Sequence, residues 1–94
     1  MTDNASSVDA ANRTPLGLAN RGFRGTIGAI TVTDDAHGVS AVEVERRLLE
    51  LGFVEGASVE ILHEGPVVRD PIAVRVNNTT IALRRREAMA IWMT

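Results

Sequence analysis

Cysteine is absent from the 94 residues, which excludes disulfides, iron–sulfur ligation, Cys-based zinc sites and thiol nucleophiles. Lysine is absent too, since all ten basic residues are arginine. Schiff-base chemistry and the lysine of a phosphate-binding P-loop go with it. Tyrosine is missing, and Phe23, Phe53 and Trp92 make up the aromatic content, too little to line a groove for Pro-rich peptides. The two histidines, His37 and His63, lie far apart and stand at no ligand spacing from one another. No private transition-metal site is expected on that basis. No nucleophile and base stand at a workable spacing, so neither catalysis nor a cofactor is expected.

No apolar run approaches the roughly 20 residues of a membrane span. The opening MTDNASSVDAANRTP is polar, with Asp3 and Asp9 where a signal peptide carries basic and then apolar residues. A cytoplasmic location without membrane insertion is the expectation. Twelve acids against ten bases give a formal net charge of -2, the wrong balance for a nucleic-acid binder. With 45% hydrophobic and 23% charged residues the composition is that of a globular domain. A chain of this length buries about 60 to 65% of its unfolded surface, enough for one small core but not for a deep cleft around a small-molecule substrate. A binding module fits better than an enzyme.

Eleven Val, six Ile and eight Thr fall mostly in short runs bounded by Gly, Pro, Asn or Asp, the pattern of short strands. Strands are expected at Thr26–Thr33, Ser58–His63, Ile72–Val76, Thr79–Arg84 and within Ala88–Met93. Gly28 inside the first suggests a bend or a close backbone approach. Ile72, Val74 and Val76 alternate with Ala73 and Arg75, so one face of that strand is buried. Asn77-Asn78 predicts a two-residue type I′ hairpin, and Arg85–Glu87 a single helical turn. One substantial helix is marked by a capping box, Ser40 to Glu43, with Val39 and Val44 at the staple positions. It runs to Leu51 with Val44, Leu48 and Leu51 on one face, widened by Val42 and Leu49. Gly52 is its C-cap. Residues 1–15 read as a polar disordered leader and 16–94 as one domain, mainly β, a small strongly bent barrel with one short helix.

The chemistry-bearing candidates are few. Asp34-Asp35 with His37 reads as a solvated turn rather than a metal cluster, and His63 as a strand end. Gly65 to Pro71 joins two strands and carries Pro66 and Pro71, so it is a stiff exposed loop suited to recognition. Arg84-Arg85-Arg86 is the basic cluster, able to grip a carboxylate-lined surface. Arg46 and Arg47 stand at i, i+3 and i, i+4 spacing from Glu43 and Glu50, as in a laced outer helix face.

Arg47-Leu48, Leu51-Gly52, Gly56, the strand Val59 to Leu62, Pro66, Asp70-Pro71, Ala82-Leu83-Arg84, Ala88 and Ile91, preceded by Gly22, Gly25 and Ile27, follow one another as in the FeoA family. The sequence resembles these small cytoplasmic accessory proteins of bacterial ferrous-iron transport from about Leu16 to its end. Two departures stand out: Val68-Arg69 before Asp70, where the family usually has Gly, with a loop one residue longer, and Asn77-Asn78 where a Gly is usual. The resemblance implies an SH3-like β-barrel that works through FeoB, the membrane transporter with a cytoplasmic GTP-binding domain. It implies a regulatory or assembly subunit with no catalysis of its own, with transition-metal binding a property at the level of the family. It agrees with the lack of a P-loop, an iron site and a membrane segment in the composition. The expected contacts are Arg47, Arg84 and Arg85 and the loop residues Pro66, Arg69, Asp70 and Pro71. The alternative is a stand-alone barrel similar to the C-terminal domain of metal-dependent transcriptional repressors, acting by protein–protein contact.

Overall fold

The computed structural model describes residues 13–32 and 40–94. The expected leader up to Asn12, the staple residue Val39 and the Asp34, Asp35 and His37 stretch lie outside the described residues. Strands are β1 (Thr14–Pro15), β2 (Arg24–Ile30), β3 (Ser58–Val67), β4 (Asp70–Val76), β5 (Thr79–Leu83) and β6 (Ile91–Met93). A 3₁₀ turn, Leu16–Leu18, follows β1. Helix α1 spans Ala41–Glu50 and helix α2 Arg85–Ala88. All strand pairs are antiparallel, in the order β1-β6-β2-β3-β4-β5.

The barrel bends at β2. Its first half, Arg24 to Thr26, pairs with β3, while Ile27 to Ile30 pairs with β6 across a register shift between Ile27 and Ala29. Gly28 sits at that shift, where a Cβ would collide with the side chain of Thr94, so the glycine seen in the sequence marks the corner where the sheet turns. Inside lie Ile27, Val59, Ile61, Ile72, Val74, Val76, Leu83, Ile91 and Met93, together with Leu16, Leu48 and Phe53, and among the described residues no polar or charged residue is buried. The alternation of Ile72, Val74 and Val76 is borne out, as each is at most 2% exposed.

Helix α1 begins and ends as its sequence dictates. The Ser40 hydroxyl accepts the Glu43 amide at 3.2 Å. At the other end Gly52 takes φ 103°, Gly52 N–H donates to the Leu49 carbonyl and Phe53 N–H to the Leu48 carbonyl, a Schellman motif sealed by the buried Phe53 and Leu48. The expected apolar face is narrower than its pattern. Leu48 is buried, with Val44 and Leu51 packed against the core, whereas Val42 and Leu49 stay 73% and 46% exposed. A short helix with one residue, Leu48, fully buried against a small barrel has only a single ridge to bury.

Several boundaries differ from the sequence reading. Thr14 and Pro15 precede the expected start of the domain yet pair with Met93 and Trp92, a two-residue contact too short to leave a periodic signal. β3 runs four residues beyond His63, and the expected loop Gly65 to Pro71 is instead a hairpin arm, in which Val67 pairs with Asp70 around the two-residue turn Val68-Arg69. Both turn residues have positive φ, 54° and 58°, the type I′ pattern. At Asn77-Asn78, where that pattern was expected, only Asn77 takes a positive φ. Ala88 closes α2, and the last strand starts at Ile91.

Because the Schellman turn requires the left-handed region at residue 52, Gly52→Ala is expected to cost about 1–2 kcal/mol. At roughly 4–8 °C per kcal/mol for a domain of this size, thermal unfolding should show a clear drop in Tm. An unchanged Tm would contradict this description of the helix end.

Candidate functional site

The hairpin arm formed by the ends of β3 and β4 is held at its base by one side chain. Arg85, the first residue of α2, is 16% exposed, and its guanidinium is divided among three segments. Nη1 donates to the carbonyls of Gly17 and Ala19 at 3.1 and 2.6 Å, Nε to the carbonyl of Arg69 at 2.8 Å, and Nη2 to Glu64 Oε2 at 2.8 Å. A planar fork with donors on three nitrogens is the side chain suited to such a junction. The same Glu64 oxygen accepts the Arg21 amide at 3.1 Å, and Arg69 Nη1 donates to Asn20 Oδ1 at 2.9 Å. Asp70 Oδ1 accepts the Arg85 amide at 2.9 Å, placing a carboxylate on the free N–H of the first helical residue. The segment following the 3₁₀ turn, the arm and α2 thereby form one unit.

A second junction lies on the other side of α2. Glu87 Oε1 accepts the Arg84 amide at 3.1 Å, and Oε2 accepts Arg47 Nη1 from α1. Arg47 thus pairs across the fold instead of lacing its own helix through Glu43 or Glu50 as its spacing suggested. The geometry of α2 decides this, because capping its own start aims Glu87 at Arg47.

The seven residues singled out from the sequence occupy this region. Arg69 and Asp70 belong to the Arg85 junction, Pro66 and Pro71 flank the arm and are exposed, and Arg47 meets α2 through Glu87. Arg84 exposes its side chain beside them. Arg85 differs in kind from an open arginine, since four donated bonds tie it down inside the molecule. Asn20, Arg21, Glu64 and Glu87 were not picked out by sequence. Glu87 stood three residues after Arg84, a spacing that signals reciprocal capping, but nothing local marks Asn20 or Glu64, whose partners are 49 and 21 residues away.

Beyond this polar base, the tip of the arm is apolar and exposed. Val67 is 71% and Val68 85% exposed. At φ 54° Val68 is also strained, since a β-branched residue in the left-handed region is an outlier. Among the described residues no group of three or more His, Asp or Glu gathers to hold a metal ion, and no helix is long and apolar enough to cross a membrane.

Among the described residues, a six-stranded, sharply bent antiparallel sheet with a protruding hairpin and no buried polar or charged residue defines an SH3-like β-barrel. The chain belongs to the FeoA domain family, whose profile matches residues 14–94, an accessory domain of iron transport. No curated protein sequence matches it. Among solved structures it is similar to the FeoA of Stenotrophomonas maltophilia in complex with zinc, described as a procaryotic SH3 domain protein (28% identity, 86% of this chain and 89% of that one, TM-score 0.69). It is similar also to the FeoA protein of Chlorobium tepidum (31% identity, 85% and 69%, TM-score 0.65). A manganese-dependent transcriptional repressor shares the fold over 88% of this chain and 41% of its own, at 19% identity and TM-score 0.71.

Removing the guanidinium leaves three carbonyls without that donor and Glu64 with the Arg21 amide alone. Arg85→Ala is therefore expected to cost about 3 kcal/mol, read as a lower urea midpoint. Arg85→Lys should recover less than half of it, because an ammonium cannot span the three segments. A midpoint within error of the parent for Arg85→Ala would show that the junction does not hold the arm.

Proposed function

We propose that this chain is a non-catalytic accessory protein of ferrous iron uptake that binds the cytoplasmic region of a FeoB-type transporter, with the β3–β4 arm as its principal contact. The observation that carries the reading is Val68. An apolar side chain that is 85% exposed contributes little to the fold, and its left-handed backbone costs about 1–2 kcal/mol on top. Asn or Gly at that position would relieve the strain at no loss of packing, and strain kept against stability concentrates at functional positions. A rigid base with an apolar tip is also the form of a low-entropy anchor, since the arm loses little freedom when it docks.

In this arrangement Pro66, Val67, Val68 and Arg69 enter the interface, with Pro71 at its margin. Asp70 and Arg85 act as positioning residues, and Arg47 and Arg84 supply positive charge beside α2 for an acidic rim. Binding one conformation of the transporter's nucleotide domain better than another is enough to regulate it. The barrel is shared with metal-dependent repressors, and the alternative, a related barrel that acts by protein–protein contact, would not itself read DNA. A repressor reads DNA with a helix-turn-helix, whereas the described residues hold one helix longer than a single turn.

The test is Val68→Asn. It should raise Tm by about 4–8 °C, equivalent to roughly 1 kcal/mol, while weakening binding to the cytoplasmic region of a FeoB from the same source at least tenfold by titration calorimetry. Parent-like affinity in the stabilised variant would remove the arm from the interface.

A further inference from the structure

The free edge of β5 is set for pairing by its register. Val76 and Thr79 face each other across the two-residue turn Asn77-Asn78, the position at which a hairpin exchanges both of its backbone hydrogen bonds. The Asn77 N–H points the other way, donating to the Ser58 carbonyl of β3 at 2.9 Å, which confirms the phase. Val74 with Ile81 and Ile72 with Leu83 repeat it two residues at a time. Thr80 and Ala82 therefore turn their N–H and C=O groups away from β4. β5 ends the sheet, and among the described residues no backbone bond outside the β4–β5 ladder reaches Thr80 or Ala82. Both residues are exposed. Sheet edges are commonly guarded by charge, proline or a bulge. Thr79 to Leu83 has neither charge nor proline, and its pairing with β4 has no register shift, whereas β3 and β4 pair with two.

We propose that β5 pairs with β5 of a second copy of this chain, antiparallel about a two-fold axis at Ile81. The two outward residues stand symmetrically on either side of Ile81, so the edge is complementary to itself, as a two-fold interface requires. In that register Thr80 lies opposite Ala82 of the partner subunit and each pair exchanges both backbone bonds, while the partly buried Ile81 meets its equivalent at the closer, non-bonded position. Other registers lose contacts. Shifting toward α2 sets Thr80 against Arg84, whose N–H is held by Glu87 Oε1 and whose carbonyl accepts the Glu87 and Ala88 amides. Shifting toward the turn calls on Asn78, which lies in it. The symmetric register also sets Arg84 opposite Asn78 of the partner subunit, so no like charges meet. Two short strands bury little area, so the dimer forms and dissociates with concentration.

Sedimentation velocity of the full chain from about 10 μM to about 1 mM should show the mass rising from the 10.1 kDa monomer toward twice that value. Over the same range, hydrogen exchange should slow at the Thr80 and Ala82 amides while the Ile81 amide, already bonded to β4, stays unchanged. The double variants T80K/A82K and T80E/A82E, which leave the β4–β5 ladder intact, should each remain monomeric and associate when mixed, because residue 80 of one copy faces residue 82 of the other. A dimer that survives both variants would overturn the proposal. So would a parent protein that stays monomeric and gains protection at Thr80 and Ala82 only on addition of the transporter's cytoplasmic region, which would give the edge to a strand of the transporter instead.

Discussion

The guanidinium of Arg85, projecting from α2, ties the segment after β1 to the β3–β4 arm, and the Arg21–Glu64, Arg69–Asn20 and Asp70–Arg85 hydrogen bonds reinforce the same junction. Its partners Gly17 and Ala19 lie 68 and 66 residues from it in sequence, so closing this junction fixes where the first and last parts of the domain meet. The apolar core alone cannot do this. Burial is non-directional, and the arm projects past the core, where Val67, Val68 and Arg69 gain nothing from it. A charge-assisted fork supplies the direction that packing lacks. The arm thus has a fixed base and a strained, apolar tip, and the reading of this protein as a docking module follows from that pairing.

The remainder of the barrel is organised to leave this arm free. Gly28 lets β2 serve two partners, β3 through its first half and β6 through its second, so six short strands curl around one small core. Helix α1 buries one ridge, centred on Leu48 and sealed by Phe53, and its Arg47 reaches Glu87 to tie it to α2. Glu87 in turn caps the start of α2, which holds Arg85 in place. Core, helix and clamp are therefore coupled through α2, a four-residue helix too short to persist without its neighbours.

Much of this was legible in the sequence because it rests on local rules. The Ser40 cap, the Gly52 stop, the alternation in β4, the bend at Gly28 and the turn at Arg85 each depend on residues within a few positions of one another, and each stands as expected. What was hidden is non-local. Thr14 and Pro15 are strand only because Met93 and Trp92 lie beside them, and β3 extends past His63 only because β4 pairs back onto it. Val68-Arg69 carries no turn signature at all, since its conformation is imposed by the strands on either side rather than favoured by its own side chains. For the same reason the residues picked by type cluster around the arm and α2, while Arg85 is a strut inside that cluster and Glu64 and Asn20 had no local mark.

The claim at the centre of this account is that the tip of the arm is what the transporter meets. Amide hydrogen exchange of the full chain, alone and saturated with the cytoplasmic region of a FeoB from the same source, tests it residue by residue. Slowed exchange at residues 67–69, with the bonded core strands unchanged, is the predicted result. Binding that leaves the arm as exchangeable as before and protects another face would contradict it.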